Sequence, residues 1–104
     1  MKFIEFGTFT RRVYEYMDDD EYRALQNALE ENPQAGVVVP GTGEVRKLRW
    51  AGSGRGKRGG LRVIYYVALS QGAFMMIFIY GKGEQEYLSP EQKRALKRAV
   101  AQGV

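Results

Sequence analysis

The chain has 104 residues, 44% hydrophobic and 27% charged, the make-up of one globular domain over residues 1–104. It contains neither cysteine nor histidine, which excludes disulfides, thiol proteases, histidine-dependent triads and the usual zinc sites, and no metal or cofactor is expected. The net charge of +4 is unevenly spread: Val45 to Gly83 holds eight basic and no acidic residues, the remainder eight basic and twelve acidic, a polarity that suits a polyanion such as nucleic acid.

Lys2 to Phe6 alternates apolar and polar residues and reads as a short strand. Thr8 or Thr10 is a candidate cap for a short helix carrying Phe9, Val13, Tyr14 and Met17. Asp18 to Asn32 is the clearest helix. Asp18 with Glu21 resembles a capping box, acids fill its first turn, and Tyr22, Leu25, Ala28 and Leu29 form an apolar stripe that belongs against a sheet. The run Asp18–Asp20 is better read as capping than as a metal site, because adjacent carboxylates on one helical turn point in different directions.

Gln34 to Gly43 is a connection with the turn chemistry of Pro40-Gly41-Thr42-Gly43. Val45 to Trp50 alternates as a strand, with Lys47 and Arg49 on one face and Arg46, Leu48 and Trp50 on the other. Ala51 to Gly60, half glycine with three cations, reads as a hairpin loop. Leu61 to Leu69 is a strand rich in β-branched and aromatic residues, Gln71-Gly72 turns the chain, and Phe74 to Tyr80 is apolar on both faces like a buried central strand. Ser89-Pro90-Glu91-Gln92 opens a last helix that runs to about Gln102, with serine as N-cap, proline at the first position and glutamine completing a capping box. The expected order, β-α-α-β-β-β-α, is an α+β domain with an antiparallel sheet.

The N-terminus is too short and polar for a signal peptide, and Val63 to Leu69 and Ala73 to Tyr80 fall well below the ~20 apolar residues that span a bilayer. A cytoplasmic protein without membrane contact is expected. No Walker-type or dinucleotide-binding glycine pattern is present. What remains is a concentration of lysine, arginine and tyrosine. RNA offers these residues a reaction: its 2′-hydroxyl attacks the adjacent phosphate once deprotonated and held in line, provided the phosphoryl charge is stabilised and the leaving 5′-oxygen protonated. Arginine binds phosphate in a bidentate way, lysine crowded by other cations becomes a candidate base, and tyrosine stacks on bases. An RNA-binding module without catalysis needs many of the same residues.

Three stretches together resemble HigB-type toxins of the RelE superfamily: Gly41-Thr42-Gly43-Glu44-Val45-Arg46-Lys47-Leu48-Arg49, Gly54 to Tyr66, and Ile79-Tyr80-Gly81-Lys82-Gly83-Glu84. The likeness covers nearly the whole chain. It implies a RelE-like fold with a central antiparallel sheet, and a toxin of a type II toxin–antitoxin module that cleaves messenger RNA in the ribosomal decoding site without a metal. The implied partners are the 70S ribosome, messenger RNA and a cognate HigA-like antitoxin carrying a helix-turn-helix domain. By resemblance, Lys47 and Arg49 face the RNA backbone with Lys47 as candidate base, Arg62 contacts the scissile phosphate, Lys82 stands at the same edge, and Tyr87 stacks on a base. Arg46, Arg55, Lys57 and Arg58 are candidate RNA or ribosome contacts. Tyr66 and Tyr80 read as core or site. The best-known RelE enzymes have an arginine, proposed as the acid, where this chain has Gly83; Arg62 or Lys82 is the candidate substitute. A ParE-like inhibitor of DNA gyrase on the same fold and a non-enzymatic RNA-binding module are the competing readings.

Overall fold

The computed structural model describes residues 1–51, 60–84 and 88–102. In chain order its elements are β1 (Lys2–Glu5), α1 (Gly7–Thr10), α2 (Val13–Tyr16), α3 (Asp19–Glu31), β2 (Val37–Val38), β3 (Arg46–Trp50), β4 (Leu61–Ala68), a 3-10 turn (Leu69–Gln71), β5 (Ala73–Gly81) and α4 (Pro90–Ala101). The strands form one sheet in the order β1-β5-β4-β3-β2.

The α+β class agrees with the sequence reading, but the sheet is mixed rather than antiparallel. β2, β3, β4 and β5 pair antiparallel, while β1 lies parallel to β5, with Phe3 opposite Phe74 and Glu5 opposite Met76. The physical reason lies in β5. β5 is buried along most of its length, so the backbone groups at both of its edges need hydrogen-bond partners, and β4 serves only one edge. The chain leaves β1 through three helices and enters the far edge of the sheet, a crossover long enough to allow parallel pairing. β2 falls inside the stretch read as connection. Two exposed valines paired with Lys47 and Arg46 are too short a run to show as a strand pattern.

The sheet separates two apolar clusters. On one face Phe9, Val13, Met17, Leu25 and Leu29 from α1 to α3 pack on Leu61, Val63, Tyr65, Phe74, Met76 and Ile79. On the other, Leu96 and Val100 of α4 pack on Val45, Ile64, Ala68, Met75 and Ile77. Between Ile64/Tyr65 and the partner residues Phe78/Met76 the register shifts, leaving Ile77 as the extra residue of a β-bulge. As a result Ile77 and Phe78 both belong to the α4 side, while Met76 and Ile79 belong to the other.

The helix ends follow the sequence closely where caps were legible. Asp18 accepts the Glu21 N–H at 2.9 Å, and Ser89 and Gln92 make both halves of a capping box. The first helical stretch departs from expectation. It is two four-residue helices broken at Arg11 and Arg12, and neither threonine caps it. Thr8 Oγ1 instead donates to the Ile77 carbonyl and Thr10 Oγ1 to Glu5 Oε1 at 2.7 Å. β1 ends opposite Met76, so the carbonyls of Ile77 and Ile79 lack a strand partner on that side. Thr8 and Arg12 supply the missing donors, Arg12 Nε reaching Ile79 O at 2.9 Å. Tyr14 is exposed and outside the buried stripe.

Polar groups on the α1–α3 face are tied off. Tyr65 is fully buried; its hydroxyl donates to Pro33 O at 2.8 Å and accepts the Gly36 N–H at 2.9 Å. A Cβ at Gly36 would stand 2.9 Å from the Tyr65 ring, so this close approach requires glycine. Trp50 Nε1 donates to the buried Glu21 carboxylate at 2.9 Å, pinning the start of α3 to the end of β3. Tyr22 donates to Glu5 at 2.7 Å. Among the described residues no helix is long and apolar enough to cross a membrane.

Candidate functional site

The strand register brings together residues that the chain keeps apart. Arg49 lies directly opposite Arg62, and Arg62 opposite Tyr80. One step along, Lys47 lies opposite Ile64 and Ile64 opposite Phe78. Period-two alternation puts all of these on the face that α4 partly covers. Leu96 and Val100 sit over the Tyr66, Met75 and Ile77 end, whereas Arg49 is exposed and Lys47 and Arg62 are half-buried.

Like charges directly opposite each other on neighbouring strands destabilise a sheet. Placing Arg49 opposite Arg62 concentrates positive charge at this point of the sheet. Among the described residues the ion pairs are Met1 amino to Glu30 at 3.1 Å and Arg12 to Glu84 at 3.4 Å, and neither involves Lys47, Arg49 or Lys82. The Arg62 guanidinium donates to Gly60 O at 3.4 Å. Beside the cations an apolar groove opens between α4 and the sheet, lined by Phe6, Ile64, Ile77, Phe78, Leu88 and Leu96. Cations next to a strip of apolar surface match the two halves of a nucleotide, a phosphate and a flat base.

Two other candidates lie elsewhere, and a third is buried within the row. Arg46 is on the opposite face of β3, where it donates to Gly36 O at 2.7 Å and Gln34 O at 3.4 Å; its charge braces the segment leading into β2. Tyr66 shares the face of Arg62 but sits at the far end, half-buried under Leu96 and Val100. Tyr80 is 3% exposed, its ring 5.8 Å from that of Phe78, so it packs beside Arg62 in the sheet rather than offering an open surface. Arg55, Lys57, Arg58 and Tyr87 lie outside the described residues. Among the described residues no group of three or more carboxylates is placed to hold a metal ion.

Lys82 is exposed in a turn at the end of β5. Glu84 N donates back to Gly81 O at 3.2 Å, and Gly83 has φ +88°. That angle at the third turn position is one glycine adopts freely and an arginine does not, which accounts for the glycine at this point of the chain.

The turn is gripped by residues the sequence reading did not single out. The Glu84 carboxylate accepts from Gly81 N–H at 2.5 Å and from the Tyr16 hydroxyl, and its other oxygen faces Arg12 at 3.4 Å. Arg12 also donates to Tyr16 Oη at 2.6 Å, and its guanidinium lies 5.1 Å above the Phe78 ring. The Tyr16 hydroxyl and Gly81 N–H hold the Glu84 carboxyl below the usual carboxylate range, while burial, and then the bond to Glu84, pushes the Tyr16 phenol up. The Arg12–Tyr16 spacing of i, i+4 was open to view in the sequence. Their meeting with Glu84 depends on β5 passing beside α2, which no local signal encodes.

No known protein-family model matches the chain.

Proposed function

We propose that the protein is a toxin of the RelE type: an endoribonuclease that cuts messenger RNA on the ribosome and is restrained by a cognate antitoxin. The observation that carries this reading is the cross-strand Arg49–Arg62 pair with Lys47 beside it, a local concentration of positive charge of the kind that attracts a polyanion. In a histidine-free chain, the reaction this cluster suits is transesterification within RNA. Lys47, as the free amine, would take the proton from the 2′-hydroxyl. The 2′-oxygen then attacks the phosphorus while Arg49 and Arg62 bind the non-bridging oxygens, whose charge grows in the transition state. Departure of the 5′-oxygen, protonated by Arg62 or Lys82, leaves a 2′,3′-cyclic phosphate and a free 5′-hydroxyl. No water enters this step, so the atoms balance without a metal-bound nucleophile. The apolar groove between α4 and the sheet offers the bases a surface that needs no particular sequence. Ribosome dependence fits the shallow site, because four or five side chains on an open sheet face do not by themselves hold a flexible strand in line.

Incubating the protein with a defined messenger RNA, with and without programmed ribosomes, and mapping 5′ ends by primer extension tests the reading. Cuts that appear only with ribosomes and fall about a hundredfold or more in Arg62→Ala, and less in Lys82→Ala, are expected. Growth arrest without any cut, combined with inhibition of DNA gyrase supercoiling, would replace the nuclease by a gyrase poison. RNA binding without cleavage would leave only a binding module.

A further inference from the structure

Lys82 is the cation of this edge that stands on a turn, where its position depends on what fixes the turn. A four-residue turn at the end of a strand has little apolar contact to hold it, and Lys82 itself is exposed. Three side chains do that work from the outside. Glu84 closes the turn on itself through Gly81 N–H, and both of its oxygens are engaged from α2 and the residue before it: Oε1 by Tyr16, Oε2 by Arg12. Arg12 is in turn fixed to the β5 backbone at Ile79 O and stacked over Phe78. The same contacts settle a question of charge. Glu84 is the acid nearest to Lys82 in the sequence and would be its ordinary neutraliser. With its two oxygens occupied by Arg12, Tyr16 and Gly81, it is withheld from Lys82, and among the described residues the lysine has no ion-pair partner.

We propose that Arg12, Tyr16 and Glu84 are positioning residues for Lys82: a clamp between α2 and the β5 turn that sets the lysine at the Arg49–Arg62 end of the sheet, keeps its carboxylate neighbour occupied, and so presents its ammonium to a phosphate of the RNA strand. This rests on the nuclease reading above and names how one of its groups is held. None of the three touches the RNA in this scheme; each acts through Lys82.

The test is a double-mutant cycle in the rate of ribosome-dependent cleavage, with thermal unfolding of every variant as a control for folding. Glu84→Ala is expected to lower cleavage about tenfold to a hundredfold, as a displaced catalytic cation does, with Glu84→Gln, which keeps both acceptor contacts of Oε1, closer to wild type. In a Lys82→Ala background, Glu84→Ala is expected to lose nothing more. Amide exchange at Gly81 is expected to accelerate in Glu84→Ala, with β4 unchanged. Equal losses from Glu84→Ala in both backgrounds overturn the clamp and leave the nuclease standing. Absence of any cut by the wild-type protein overturns the nuclease and the clamp with it.

Discussion

Arg46 and Arg49 sit on the same five-residue strand, yet the two faces of the sheet treat them in opposite ways. Facing α1–α3, Arg46 finds two backbone carbonyls within reach and its charge is absorbed into holding the chain between α3 and β2. Facing the other way, Arg49 meets a second arginine across the strand and stays exposed. The first face is finished: its cluster is fully buried, and Tyr65, Trp50 and Tyr22 each hand their polar atom to a partner. The second is half-finished, because α4 covers the end near Tyr66 and Ile77 and leaves cations and Phe78 at the other. A sheet that spends one face on stability has the second free for charge that stability alone would not select.

The contrast breaks first if the two faces prove equally important to folding. Leu25→Ala opens a hole in the closed face, where the side chain is fully buried, and is expected to cost about 2–5 kcal/mol in chemical denaturation. Leu96→Ala, half-buried on α4, is expected to cost less than half as much. Equal losses would mean that α4 is as much a part of the core as α3.

Tyr65→Phe acts on the closed face alone. It keeps the ring and strands the Gly36 N–H and Pro33 O of the closed face, at a cost of about 1–3 kcal/mol. Burial pushes the Tyr65 phenol above its ordinary value of 10.0. The folded state therefore favours the protonated phenol. Its contribution is complete below pH 10.0 and is lost as pH rises through the folded value, so stability falls on the alkaline side as the unfolded chain sheds the proton first. The alkaline limb of a stability–pH curve is expected to be shallower in Tyr65→Phe than in the wild type.

The smallest effect carries the opposite sign. Arg49→Thr removes one member of the like-charge pair and is expected to raise stability by about 0.2–1 kcal/mol at low ionic strength, a gain that shrinks as salt is added. Arg46→Thr, on the closed face, is expected to gain nothing. A stabilised Arg49→Thr that no longer binds RNA would put a stability cost and a function on the same residue.

Much of this was written locally. The capped starts of α3 and α4, the stripe Tyr22, Leu25 and Leu29, the three strands between Val45 and Tyr80, and the placement of Lys47 and Arg49 on one strand face follow from periods of 3.6 and 2 and from side chains that bond their own backbone within a turn. Those signals act over a few residues, so they survive in one dimension. Three things needed the assembled chain. The parallel pairing of β1 with β5 depends on which neighbour the central strand has left to find. The break of the first helix serves carbonyls of β5 that the sequence places far from it. The meeting of Arg49 with Arg62 rests on the register of the β3–β4 hairpin, and that of Arg12 and Tyr16 with Glu84 on the packing of α2 beside the end of β5. Sequence fixes which residues carry charge and which way each points from its own strand or helix. Which charges face one another, and which are left for a partner, is set only when the sheet closes its register, because electrostatic contact depends on separation in space.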